Sequence, residues 1–569
     1  MKYFIVLVIF LLIGCQTSVE RSFHDLNEAF INWYFKFHPV EASRHGISDH
    51  HGLFRMIGSE QNEEHIADIS RFIIELSQID PTKLSPENRI DYEILESKLE
   101  EMKYFMEKIK PWEWNPSWVL KEIYARLFLL SESQNIKMVD RVDAVKNRLS
   151  LIPKHLEKSK SSLNLFSEIH FKEAENILDG IMKLLDDIPI KLNSDNLTLD
   201  EIDLLIVLGK KALVKHGKWL SNGSSNLSTI NFPIDLDLFN AFPLLVDKKY
   251  FFENVYKLAH KKIVPIQNKL FEKSLPIYLM ENDEPVWLDR DDTLEVIHWS
   301  MDYIYNKPEN QVSNSGILAH FFDSMSKMEK FINSKNIMNV NNKKRIKLAL
   351  SPKYLSLKDE AELFGHHQKV NSEIVYFIMN HGESEGLFPL IKQEIDILNA
   401  KNINPGRMVQ MSYSQKRPMS IRYLFPDLIN QKGWELYSSR ILMNLGYFSS
   451  DDFHLILLLK EELKTSCMGY VEGEYYTGKI TRKKAISYLK NESFLTDKEA
   501  EKMMKEMELN LFFGTHSFIG MLEMESLQKE YEKKIDNLDD NYALYDFHQK
   551  ILEQGMIPFN HLKKEILSP

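Results

Sequence analysis

The chain is poor in cysteine and lacks the familiar metal and phosphate signatures. Only Cys15 and Cys467 are present, too few for a cysteine-rich zinc site. If Cys15 is acylated, no intramolecular disulfide can form. Cys467 follows Leu463 by one helical turn. That setting suits a buried, inert thiol, since a reactive one wants basic or histidine neighbours. None of the 19 histidines is followed directly by glutamate. A His-Glu-x-x-His helix, which puts two ligands on one face and a carboxylate beside the metal-bound water, is therefore excluded. There is no Walker phosphate loop. A formal net charge of -11 excludes the basic footprint of a general nucleic-acid binder. Internal repeats and long low-complexity tracts are also missing.

The amino terminus carries an address. Lys2 forms a short basic region, and the apolar run from Tyr3 to Ile13 has signal-peptide length but is too short to span a bilayer. It ends in Leu12-Ile13-Gly14-Cys15, which resembles the lipobox of bacterial lipoproteins. In that class the cysteine is diacylated and becomes the new amino terminus. Two or more acyl chains hold a large soluble body on a membrane. Gln16, in place of aspartate, resembles outer-membrane sorting. A plain secretory peptide with an incidental cysteine is the alternative. No later stretch reads as a membrane helix.

The remaining chain can build several domains or one large body with two lobes. Apolar residues make up 44% of it, enough for a substantial core. Helical periodicity dominates: Tyr92, Leu95, Leu99 and Met102 recur at three- and four-residue steps. Residues 139–194 predict two or three amphipathic helices. Thr496-x-x-Glu499 and Asp546-x-x-Gln549 read as capping boxes, with Gly555 and Pro558 ending the second helix. Segment 233–246 is less regular and reads as a place for extended structure. The division expected is a signal peptide and lipobox over 1–15, a short tether over 16–24, and a helical domain over 25–565. Lobe boundaries are expected near 218–232 and 333–345, beside the Asn-rich stretches 220–231 and 338–342, which read as surface loops.

Histidine clusters are few. His366, His367 and His381, with Glu383 and Glu385, form the richest group, but their spacing would need tertiary help to hold a metal; solvated helix ends and a charged loop also explain it. His45, His50 and His51 around Gly46 read as a turn beside a helix end. The aromatics Trp112, Trp114, Tyr475 and Tyr476 suit either a binding groove or loop-to-core anchoring.

Five segments together resemble one family, the DUF885 proteins, which look like zinc metallopeptidases. They are His38-Pro39-Val40-Glu41-Ala42-Ser43-Arg44-His45-Gly46 with Asp49-His50, then Leu84-Ser85-Pro86-Glu87-Asn88-Arg89-Ile90-Asp91-Tyr92-Glu93-Ile94-Leu95. Gly433-Trp434-Glu435-Leu436-Tyr437, Ala485-Ile486-Ser487-Tyr488-Leu489, and Asp546-Phe547-His548 with Gly555-Met556-Ile557-Pro558 follow. Their order covers roughly residues 25–565. The resemblance implies a mainly α fold, a large two-lobed helical body like that of zinc metallopeptidases, with a minor β component.

The resemblance fails at the family's active centre, His-Glu-Ala-x-Pro-Gly-His-His-x-Gln. Aligned on Pro405-Gly406, the first histidine and its glutamate become Lys401 and Asn402, and the paired histidines become Arg407 and Met408. Gln410 is kept. The family's Glu-Gly-Trp-Ala-Leu-Tyr becomes Lys432-Gly433-Trp434-Glu435-Leu436-Tyr437, so its leading carboxylate is lost. In the later Asp-x-Gly-x-His pattern, Glu472 stands for the carboxylate and Tyr476 for the histidine. Zinc takes imidazole, thiolate and carboxylate ligands, and arginine offers only donors. Without zinc there is no polarised water.

The expected protein is thus a lipid-anchored, catalytically inactive relative, without cofactor, that binds a peptide, envelope component or protein partner in a retained cleft. Lys401, Arg407 and Lys432 would favour an anionic ligand there. A metal-dependent hydrolase with displaced ligands, and a structural or surface-interaction lipoprotein, are the alternatives. The partners expected are the membrane, through Cys15, and a peptide or anionic ligand, with no nucleic acid. No motif defines an oligomeric state.

Overall fold

The computed structural model describes residues 2–45, 47, 52, 59–132, 136–192, 200–223, 228–236, 238–247, 249–282, 290–313, 315–340, 346–352, 362–365, 374–378, 390–414, 420–448, 452–534 and 540–567. Over these the fold is almost entirely α-helical with a small β component.

Local signals start many of the helices. Ser85 accepts a hydrogen bond from Asn88 N at 3.3 Å and Pro86 takes the first turn, opening the helix Pro86–Tyr104. Ile90, Ile94, Leu95 and Leu99 bury one side of it. Thr496 and Glu499 close a reciprocal capping box at the start of Asp497–Leu509. The second box expected does not form. Asp546 lies inside the helix Asp540–Gln554, where it binds Lys550 and the Tyr531 hydroxyl instead. Gly555, at φ +77°, ends that helix as expected. Segment 233–246 is also corrected: a turn leads into the helix Leu238–Leu245.

Two large apolar cores organise the helices. One joins Phe23–Met106 to residues 241–566, so that Phe30, Phe72, Trp434 and Phe547 share a single interior. The second lies among the helices Trp118–Glu132, Met138–Lys160, Glu168–Leu192 and Asp200–Gly223, with Leu127, Ile152 and Leu184 at its centre. Residues 16–24 belong to the helix Lys2–Phe37, and Phe23 is already in the first core. Among the described residues no helix is long and apolar enough to cross a membrane.

The β component is a three-stranded sheet in which Ile374–Ile378 lies between Ile346–Leu350, parallel to it, and Glu362–Gly365, antiparallel. Its Phe377 reaches the second core, whereas Tyr376 and Ile378 pack under the helices Ile317–Lys335 and Lys392–Asn402. A two-residue parallel pair, Leu165–Phe166 with Ser228–Thr229, completes it.

Candidate functional site

The motif positions fall into three physical groups. The first is a packing frame. A Cβ on Gly406 would lie 1.9 Å from the carbonyl oxygen of Lys401, so only glycine lets the chain fold back on the end of Lys392–Asn402. The Asn404–Pro405 peptide bond is cis. Trp434, fully buried on the helix Leu428–Asn444, donates its indole N–H to the carbonyls of Pro405 at 3.0 Å and Gly406 at 3.3 Å. Gly433, beside it, packs against Gly520 so closely that a Cβ would lie 2.5 Å from the Gly520 carbonyl oxygen. Gln410, also buried, donates to Asn430 Oδ1 at 2.8 Å, and Asn430 passes on to the Ile557 carbonyl at 2.6 Å. Met408 is buried apolar filling, and Asn402 donates to the Tyr376 hydroxyl at 3.0 Å.

The second group carries charge, and its members meet carboxylates. Glu435, 5% exposed, accepts from Lys432 Nζ at 2.8 Å and from Gln431 at 2.9 Å, with Arg407 Nη1 at 3.8 Å. Burial alone would raise its pKa, but the charges of Lys432 and Arg407 outweigh burial and hold it down to about 2. Arg407 and Lys432 thus share one carboxylate. Lys401 does not join them: its ammonium binds Glu461 at 2.7 Å. Burial would likewise raise Glu461, and Lys401 and Lys464 hold it well below the usual range.

Glu472 and Tyr476 form a third group. Glu472 accepts from Thr515 N at 2.8 Å and Gly514 N at 3.2 Å, which places it at the amino end of the helix Phe513–Lys534. Burial dominates its titration and pushes it up to about 7 against those bonds. Tyr476 donates to the Met507 carbonyl at 2.6 Å and lies 3.4 Å from Glu472. Cys467 is fully buried, and burial raises its thiol far above the ordinary value. Among the described residues no group of three or more His, Cys, Asp or Glu side chains is placed to hold a metal ion.

The displaced-ligand candidates His366, His367, His381, Glu383 and Glu385 lie outside the described residues, as do His50 and His51. Gly382-Glu383-Ser384-Glu385-Gly386 in the same stretch has the Gly-x-Ser-x-Gly spacing of a nucleophile elbow. Such an elbow needs a sharp strand-to-helix turn, and this stretch too lies outside the described residues. His45 is described: it is buried, and its Nδ1 lies 2.9 Å from the Glu41 carbonyl.

A cleft of about 890 Å³ lies between the helix Pro86–Tyr104 and the segments 424–429, 509–516 and 558–561. None of the positions from Lys401 to Gln410, nor Lys432, Gly433, Trp434, Glu472 or Tyr476, lines it. Its walls hold seven carboxylates (Glu41, Glu93, Glu96, Glu100, Glu101, Asp247, Asp427) against Lys98 and Lys121. Tyr34, Phe105, Trp114, Trp118, Phe232 and Phe425 supply aromatic surface. Glu93, Glu96 and Glu100 recur on one face of Pro86–Tyr104, opposite the apolar face that anchors it. Trp114 and Asn115 of the Trp112-x-Trp114 segment reach this cleft, whereas Tyr475 and Tyr476 do not; Tyr475 donates to Glu508 at 3.0 Å.

The family model described as "Bacterial protein of unknown function (DUF885)" matches residues 291–566, a span that includes every motif position from Lys401 to Tyr476. No curated protein matches. Over nearly the whole chain the fold is that of two solved bacterial proteins. One, from Shewanella oneidensis, is described as a "putative lipoprotein of unknown function"; it is 20% identical with a TM-score of 0.79, over 96% of this chain and 100% of that one. The other, described as the "putative lipoprotein from Colwellia psychrerythraea", is 14% identical with a TM-score of 0.77, over 96% of this chain and 98% of that one.

Proposed function

We propose that the protein is a lipid-anchored, catalytically silent binding protein of the bacterial envelope. In this reading it holds a peptide, or a peptide-like segment of an envelope partner, in the large cleft. The carrying observation is Glu435, a buried carboxylate whose charge is met by Lys432 and Arg407. Where the related motif would gather ligands around a cation, this chain supplies its own cations. The surrounding frame of Gly406, Trp434, Gly433 and Gln410 keeps the backbone arrangement for a packing reason that needs no chemistry. The lipobox at Cys15 and the two lipoprotein-named structures of the same fold support the anchor; Gln16 supports the outer membrane.

The cleft falls in the size range of ligand sites. Its excess of carboxylates and its aromatic walls favour a ligand with basic and aromatic side chains, through charge complementarity and cation–π contacts. This differs from an anionic ligand held jointly by Lys401, Arg407 and Lys432, since Arg407 and Lys432 are met by Glu435 and Lys401 stands apart from them beside Glu461. The test is a mixture of short peptides of graded charge, incubated with the lipid-free chain with and without added zinc. Retention of intact basic, aromatic peptides is expected. Zinc-dependent cleavage overturns the reading and favours the displaced-ligand hydrolase, and failure of every peptide to bind favours a surface-interaction role.

A further inference from the structure

A second cavity, of about 120 Å³, opens beside Lys401 between the helices Lys392–Asn402, Asp452–Tyr476 and Asp497–Leu509. That is space for roughly four water molecules at about 30 Å³ each, enough for a tetrahedral anion that has shed most of its hydration. Four lysines line it: Lys401, Lys460, Lys464 and Lys502. Three carboxylates, Glu394, Glu461 and Glu499, share the lining. Lys401 and Lys464 converge on one of them, Glu461. Lys460 is only 5% exposed; it donates to the Tyr305 hydroxyl at 3.2 Å, and that hydroxyl donates to Glu394. Burial pushes Glu394 up to about 7, so that near neutrality it carries only part of its charge. Within the lining four ammonium groups stand against three carboxylates, inside walls that also include Leu457 and Met503.

We propose that this cavity is a binding site for a small phosphate group, held by Lys460 at its base with Lys401, Lys464 and Lys502 around it. Lysine acts on phosphate as a point charge, and several converging ammoniums need no fixed fork geometry. Tyr305 sets the position of Lys460. The site is separate from the large cleft, and its existence does not depend on what that cleft holds.

The test is calorimetric titration of the lipid-free chain with inorganic phosphate and with glycerol phosphate, at constant ionic strength set with chloride. Saturable binding of one phosphate per chain is expected. Lys460→Met is expected to weaken it at least tenfold, and Lys502→Gln, at a more exposed part of the lining, severalfold. Lys172→Gln, at an exposed side chain of the helix Glu168–Leu192 outside the cavity lining, leaves it unchanged. Preference for glycerol phosphate points to a headgroup or metabolite, and preference for inorganic phosphate to the free ion. If Lys460→Met does not fold, the Lys502→Gln and Lys401→Gln titrations decide. Heat no greater than that of chloride, or affinity unchanged in Lys502→Gln and Lys401→Gln, overturns the proposal.

Discussion

Replacing Lys432 by methionine tests directly whether cations sustain the buried Glu435 carboxylate. Lys432 and Arg407 move Glu435 from 4.5 to about 2 against the opposing effect of burial. At about 1.4 kcal/mol per pH unit this is roughly 3 kcal/mol of net stabilisation of the charged form. After the substitution Arg407 remains at 3.8 Å and Gln431 at 2.9 Å. Lys432 is 27% exposed, so solvent screens part of its effect. The expected loss is about 2 kcal/mol at pH 7, below the range for breaking a fully buried pair. Glu435 has a depressed folded-state pKa, so its contribution in the parent chain is present above pH 4.5 and is lost as pH falls through about 2. In Lys432→Met that pKa rises, and the deficit should be greatest near neutrality and shrink as pH drops and Glu435 takes up a proton. Urea unfolding followed by circular dichroism from pH 2 to pH 8 measures this. Lys432→Met/Glu435→Gln should recover part of the loss at pH 7, because the buried carboxylate is gone and only Arg407, 22% exposed, loses its partner. A single variant as stable as the parent, or a double variant no better than the single one, would refute the reasoning.

Other perturbations reach the remaining parts of the account. Gly433→Ala forces a methyl group to within 2.5 Å of the Gly520 carbonyl oxygen, so thermal unfolding should show a loss of about 3 kcal/mol or more. Glu472 has a raised folded-state pKa of about 7, so its protonated form stabilises the fold below pH 4.5 and that contribution is lost as pH rises through 7. Glu472→Gln should therefore flatten the fall in stability between those limits, as measured by denaturant titration at each pH. Cys15→Ser should abolish labelling by radioactive palmitate and release the protein from membrane fractions, whereas Cys467→Ser should leave both unchanged.

The sequence exposed features held within one element. Thr496 and Glu499 close their cap across a single turn, and the apolar face of Pro86–Tyr104 repeats at helical spacing. Asp546 misled because its side chain takes tertiary partners in mid-helix. Strands of four or five residues, such as Glu362–Gly365, are too short for alternation to stand out. The candidate site was legible as a set of substitutions, but their consequences were not. Glu435 lies three residues from Lys432, so their pairing could be read from helix spacing; Arg407 joins only because Trp434 draws Pro405 and Gly406 onto the same helix. Glu472 meets Thr515 across a helix–helix contact that no local pattern encodes. Half of the large cleft was present as Glu93, Glu96 and Glu100 on one helix face, but the wall opposite comes from three distant segments.

The measurement that tests the central claim most directly is zinc titration of the tag-free, lipid-free chain, with bound metal determined by mass spectrometry under native conditions. With Lys432 and Arg407 on Glu435, no tight stoichiometric zinc is expected, and Glu435→Gln should not change the result. One equivalent of firmly held zinc in the parent chain, lost in Glu435→Gln, would contradict the account.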